Sequence, residues 1–201
     1  MTTRPPRLFV SYSWTSPAHE EWVLSLATEL CESGVDVILD KWDLKEGQDA
    51  DVFMERMVRD PEIRKVAMIC DRVYTEKADG RSGGVGVETQ IISAEIYAKT
   101  DQTKFVAVLP ERDEDGEPFL PAYYKSRIYI DLSNPDLYRM NFEQLLRWIY
   151  DKPLYVKPEL GKTPGFLDDD TKVLLPTTAA FRRAIVALRE SKPHCGGALD
   201  D

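Results

Sequence analysis

The sequence predicts an α/β protein, a flavodoxin-like three-layer sandwich with a five-stranded parallel sheet, followed by a C-terminal extension. Three observations predict it. Short runs rich in β-branched and aromatic residues alternate with longer stretches of helical periodicity. Several of the strand-like runs are apolar throughout, as expected of parallel strands covered by helices on both faces. A length of 201 residues with 43% apolar content is enough for one packed domain and a tail.

The elements follow in order. "RLFVSYS" (Arg7 to Ser13) is a β-rich run suited to a buried strand. Ser16-Pro17 is an N-cap followed by proline at the first helical position, and Glu20 and Glu21 favour the positive end of the helix dipole. Trp22, Val23, Leu26, Ala27 and Leu30 recur at helical spacing, and Gly34 ends the helix. "VDVILD" (Val35 to Asp40) is the second strand. The polar loop "KWDLKEGQD" leads to a helix carrying Val52, Phe53, Met57 and Val58. "RKVAMIC" (Arg64 to Cys70) is a third strand. The polar, glycine-rich segment from Asp71 to Val87 reads as an irregular loop, and the helix after it carries Ile91, Ile92, Ala94 and Ile96. "KFVAVLP" (Lys104 to Pro110) and "RIYIDL" (Arg127 to Leu132) are the last strands, separated by an acidic loop. "NPDLYRMNFEQLLRWIYD" contains the closing helix.

The domain therefore spans Arg7 to Asp151. From Lys152 to Asp201 the chain becomes a proline-rich linker, with one further amphipathic helix over Thr177 to Glu190. A lone helix cannot bury its own apolar face, so this segment is expected to dock on the domain, join an oligomer, or lead into a sensor domain beyond Asp201.

Charge and cysteine usage narrow the class. With 35 Asp and Glu against 26 Lys and Arg, the formal charge is −9. That argues against direct nucleic-acid binding, which needs basic patches to neutralise phosphate. Cys31, Cys70 and Cys195 form no CxxC pair and no disulfide framework; the first two are expected to be reduced and buried. The N-terminus has no apolar h-region, and no run reaches the ~18–20 apolar residues of a membrane span. A cytoplasmic setting without membrane contact is the expectation.

In open parallel sheets, ligands bind beyond the carboxyl ends of the strands, near the point where the strand order reverses. The candidate site therefore comprises Ser11 to Trp14, Asp40 to Gly47 and Asp71 to Glu88. In "DKWDLKEGQD", the charged residues Asp40, Lys41, Asp43, Lys45 and Glu46 surround Trp42. That composition fits either a contact loop or a solvated turn with Trp42 tucked against the sheet. The sequence contains no Walker loop, nucleophile elbow or metal-ligand cluster. "SGGVGVE" lacks the strand and distant acid of a dinucleotide fingerprint. His19 and His194 lie far apart and outside the candidate site, which makes a triad improbable.

What remains is carboxylate chemistry, and the stretch "GGVGVETQIISAEIY" (Gly83 to Tyr97) offers Glu88 and Glu95. Seven residues make two helical turns, so both lie on one face about 10 Å apart. Glu88 belongs to the first turn, beside glycines that allow close approach of a ligand. A first-turn glutamate also suits the helix dipole without doing any chemistry.

The order "FVSYSW", "VILDKWDLKEGQD", "VAMICDRVY…GGVGVETQIISAEIY" resembles the Toll/interleukin-1 receptor (TIR) domain family, in particular its bacterial TIR and SEFIR-like branch. "FVSYSW" is similar to the family's box 1 and "DKWDLKEGQD" to its BB loop. The resemblance implies an NAD+ glycohydrolase, with NAD+ as substrate and no other cofactor or metal. It implies Glu88 as the catalytic carboxylate, since the family's glutamate opens the helix after the third strand, commonly as W-x-x-x-E. Here Gly84 stands where that tryptophan would be. Ser11, Tyr12, Ser13, Trp14, Asp40, Lys41 and Asp43 are then the substrate-binding candidates, with Tyr12 and Trp14 able to stack on a base. Trp42, Leu44, Lys45, Glu46 and Gly47 form the implied assembly loop, through which self-association completes the pocket. The implied context is prokaryotic antiphage defence by cell suicide. The alternative is a non-enzymatic adaptor that signals through homotypic domain contacts.

Overall fold

A computed structural model describes residues 4–80, 92, 94–164, 167 and 181–186. The strands β1 (Arg7–Ser11), β2 (Asp36–Ile38), β3 (Lys65–Ile69), β4 (Phe105–Leu109) and β5 (Ile130–Asp131) form one sheet in the order β2-β1-β3-β4-β5. Every neighbouring pair is parallel, and Phe9 of β1 stands between Ile38 of β2 and Val66 of β3. The order reverses between β1 and β3, so their carboxyl ends flank the switch point.

Alternation along β1 sorts the core into two layers. Leu8 and Val10 pack with α1 (Pro17–Glu32) and α6 (Tyr138–Ile149), through Val23, Leu26, Leu30, Phe142, Leu145 and Ile149. Phe9, on the opposite face, packs with α3 (Ala50–Arg59), α4 (Arg72–Gly80) and α5 (Ala94–Lys99), through Met54, Val58, Tyr74, Ala78 and Tyr97. The five-stranded, three-layer expectation holds.

The ends of α1 follow from its sequence. Ser16 has extended backbone and accepts the amide of His19 at 3.2 Å, and Pro17 occupies the first helical position. Beyond the helix Gly34 adopts φ +84°, and a Cβ there would meet the Tyr150 hydroxyl at 3.0 Å. That hydroxyl donates to the Ser33 carbonyl at 2.9 Å, so glycine is required by both conformation and space.

Three local expectations are corrected. The polar segment after β3 is not loop throughout, because Arg72–Gly80 is helical. Tyr74 and Ala78 form its buried face, Arg72 pairs with Glu76 one turn on, and Asp71 caps it by accepting the Tyr74 amide at 2.8 Å. The second strand stops at Ile38, and Asp40–Asp43 forms a one-turn helix, α2. The Asp43 carboxylate reaches back to the Leu39 amide at 3.0 Å and closes that turn. Cys31 is exposed rather than buried, since the inward face of α1 is taken by Ala27 and Leu30; Cys70 is buried as expected.

The chain divides into two units, Met1–Val156 and Lys157–Asp201. In the second, residues 157–164 are exposed and irregular, and residues 181–186 are helical with Phe181 exposed. Among the described residues no helix is long and apolar enough to cross a membrane.

Candidate functional site

Beyond Ser11 the chain runs on in extended form to the N-cap of α1, and two buried carboxylates grip it from opposite sides. Asp40, at the start of α2, takes the alternate residues Tyr12 and Trp14. The Tyr12 hydroxyl donates to its Oδ1 at 2.8 Å, and the Trp14 indole N–H donates to Oδ2 at 2.7 Å. Asp71, at the end of β3, takes Ser13 and Thr15, whose hydroxyls donate to Oδ1 at 2.7 Å and Oδ2 at 2.6 Å. Successive side chains of an extended chain point to opposite sides. Residues 12 and 14 therefore reach one acid while 13 and 15 reach the other. Asp71 also caps α4, which ties the loop after β1 to the helix after β3.

The predicted binding residues are brought together at the switch point, in different capacities. Ser11 is fully buried, with its hydroxyl 3.0 Å from that of Tyr74. Tyr12 is 1% exposed, and burial followed by the charge of Asp40 pushes its phenol well above the usual tyrosine range. Both are supports beneath the surface. Trp14, at 40% exposure, presents its ring to solvent while its N–H is held. Lys41 pairs with Glu20 of α1 at 2.6 Å, and Asp43 is engaged by the Leu39 amide.

The predicted assembly loop lies on the surface. Trp42 is 44% exposed, Lys45, Glu46 and Gly47 are exposed, and Leu44 is half-buried. Gly47 adopts φ +85° with open space around it, so its backbone conformation is what calls for glycine. Glu88 lies outside the described residues, as do Gly84 and the side chain of Glu95. The chain is described again at Ile92, which is buried. Its amide donates to the Tyr74 hydroxyl at 3.1 Å.

One member of this cluster contradicts the sequence reading. His19 is not outside the site: its side chain is 10% exposed, its Nε2 lies 4.0 Å from Asp71 Oδ2, and its ring centre is 6.2 Å from that of Tyr12. Proline at the first helical position and the Ser16 cap direct residue 19 back over the switch point. Asp71 lies within the expected site segment, but as a helix cap and clamp residue rather than as part of a loop. Its signal was the spacing Asp71, Tyr74, Ala78, a cap followed by an apolar helical face.

Among the described residues no group of three His, Cys, Asp or Glu side chains is arranged to hold a metal. Burial and the adjacent Asp71 push the Cys70 thiol up, which makes it a poor nucleophile. A cleft of about 610 Å³ exists at the other end of the sheet, lined by Arg59, Arg64, Lys65, Lys104, Asp101 and Asp151 among others. It lies at the amino ends of β3 and β4, away from the clamp.

The SEFIR domain family matches residues 6–146 of this chain. The chain belongs to the SEFIR family. It is similar to the crystal structure of a prokaryotic SEFIR domain, with 44% identity over 78% of this chain and 99% of that one, and a TM-score of 0.66. A weaker likeness, with 17% identity, 71% and 97% coverage and a TM-score of 0.46, is to the TIR domain of a Toll-related receptor from the lower metazoan Hydra magnipapillata. Comparison with the curated proteins gives no match. In this SEFIR domain the matched region holds the whole clamp, from Tyr12 to Asp71, together with Glu88.

Proposed function

We propose that this SEFIR domain is an NAD+ glycohydrolase switched on by self-association, acting in prokaryotic antiphage defence by depleting NAD+. The observation that carries the reading is the clamp. A half-exposed tryptophan is held at the switch point by its indole N–H on a buried carboxylate. A ring held by its N–H and partly exposed to solvent suits stacking of nicotinamide or adenine. The position of Ile92 adds support. Its amide is bonded to the Tyr74 hydroxyl at the foot of the clamp, and Glu88 stands four positions before it in the sequence.

The chemistry needs one carboxylate. The C1′–N bond of the nicotinamide ribose breaks with both electrons passing to nicotinamide, which leaves neutral because its ring nitrogen was cationic. No general acid is required. The oxocarbenium-like centre at C1′ is stabilised by the Glu88 carboxylate. Water adds its oxygen to C1′ and loses a proton to solvent, giving ADP-ribose. Capture by an atom of the same molecule would give a cyclic product instead.

The test is nicotinamide release from NAD+ by the full chain under crowding conditions that promote assembly. Release by the wild type, lost in Glu88→Gln, is the expected result. No release, or equal release by the variant, overturns the enzyme reading.

A second reading, a non-enzymatic module for homotypic contacts, is favoured by the exposure of Trp42 beside the 45–49 loop. Trp42→Ala is expected to lower the assembled fraction in sedimentation while folding stability changes by less than about 1 kcal/mol. If assembly drives catalysis, nicotinamide release falls in parallel. Assembly without release in any protein leaves the adaptor.

A further inference from the structure

We propose that His19 is the positioning residue of the carboxyl-end site. When protonated, it donates its Nε2–H to Asp71 Oδ2 and draws the Ser13–Thr15 stretch, and Trp14 with it, into one ligand-competent position. The inference deepens the NAD+ reading and rests on it for the identity of the ligand, but the geometry is independent of that identity.

The Nε2 atom of His19 is shielded from solvent and has no hydrogen-bond partner, an arrangement that proteins rarely leave uncompensated. Asp71 Oδ2 stands 4.0 Å from it, about 1 Å longer than an N–H···O bond. Among the described residues, Asp71 Oδ1 receives Ser13 and the Tyr74 amide, whereas Oδ2 receives Thr15 alone. A small rotation of the first turn of α1 closes the gap.

The protonation state decides how strongly that rotation is favoured. A neutral imidazole has a single N–H to share between Nδ1 and Nε2 and makes at best a neutral hydrogen bond to the carboxylate. The imidazolium finds a charge-assisted hydrogen bond. Among the described residues, Asp71 from the β3–α4 junction and Tyr12 from the β1–α1 connection face His19. Asp40 lies behind Tyr12, and Glu20, beside His19 on α1, is paired with Lys41 of α2. Asp71 grips Ser13 and Thr15 on either side of Trp14, so the histidine acts on the tryptophan through Asp71.

The test follows the Trp14 indole N–H resonance in 1H–15N spectra of the full chain from about pH 8 to about pH 5.5, the range in which imidazoles change charge. Its assignment comes from Trp14→Phe. The His19 imidazole nitrogens are followed in parallel, the chain having 2 histidines. The expected result is one shared transition in the wild type, absent in His19→Phe. His19→Gln, which cannot change charge in this range, should likewise show no transition. A Trp14 transition that persists in His19→Phe overturns the proposal, as does a wild-type Trp14 that stays still while His19 protonates. If the variants fail to fold, the wild-type comparison decides by itself. Nicotinamide release is measured on the same samples. Coupled Trp14 and His19 without release sinks the NAD+ reading and leaves the positioning role standing, while release with uncoupled Trp14 does the reverse.

Discussion

At the amino ends of the strands, Lys65 pairs with Asp151 at 2.6 Å and lies over the Trp148 ring, and Lys104 donates to the carbonyls of Val58 and Asp60. At the carboxyl ends, Asp40 and Asp71 accept from Tyr12, Trp14, Ser13 and Thr15. In the first region charged groups join distant pieces of the chain, the end of α6 to β3 and the turn after α3 to β4. In the second, two buried acids act on one stretch of four residues and leave a single ring facing solvent. The cleft of about 610 Å³ lies at the amino end, and the clamp of buried acids lies at the carboxyl end.

The sharpest way to break this contrast is Glu88→Gln. Nicotinamide release should fall by about two to three orders of magnitude, the scale of losing one transition-state charge contact, with the urea midpoint unchanged. Next comes Asp71→Ala, which removes the cap of α4 (~1 kcal/mol) and strands at least one buried donor (~1–3 kcal/mol). A loss of about 3 kcal/mol in urea unfolding is expected, together with a displaced Trp14 resonance. A loss below about 1 kcal/mol would show that the clamp is not the structural centre of that end.

Tyr12→Phe tests the other acid through pH. Burial and Asp40 raise the native pKa of Tyr12 above the unfolded tyrosine value of ~10. The unfolded chain therefore loses this proton first, and stability falls as pH rises through that value, while below it the contribution is fully present. Tyr97, Tyr123, Tyr124 and Tyr138 are shifted in the same direction. The variant should accordingly flatten, without abolishing, the decline in urea midpoint above about pH 10. An unchanged alkaline slope would place the Tyr12 phenol elsewhere than against Asp40.

The smallest effect is expected from Lys65→Met at the opposite end. Asp151 is 71% exposed, so the pair is largely screened, and a methionine retains the contact with Trp148. Thermal unfolding should move by no more than about 1 kcal/mol, with Trp14 unaffected. A response of Trp14 to this change would join two regions that the structure separates.

Much of the fold was legible in the chain. The apolar runs VAMI after Lys65 and Phe105–Leu109 have no polar face to show water, which marks strands covered on both sides. Ser16-Pro17 and Gly34 marked the ends of α1 by chemistry confined to neighbouring residues. What stayed hidden depended on partners far along the chain. Arg72–Gly80 looked like loop because its composition is polar, and only the covering sheet gives Tyr74 and Ala78 something to pack on. Cys31 looked like core because one residue's offset around a helix decides exposure, and periodicity alone places the apolar stripe no more finely than that.

For the site, residue order along the chain was enough to bring 11–14, 40–47 and Asp71 to the switch point, because a parallel α/β sheet places the segments after its strands at one end; residues 81–88 lie outside the described residues. The division of labour within them rests on contacts spanning 26 to 58 residues, such as Trp14 with Asp40 and Ser13 with Asp71. Local propensity carries no information about such pairings. For that reason Tyr12, expected to stack on a ligand, proved to be a buried support, and His19, set aside by its distance in sequence, proved to face Asp71.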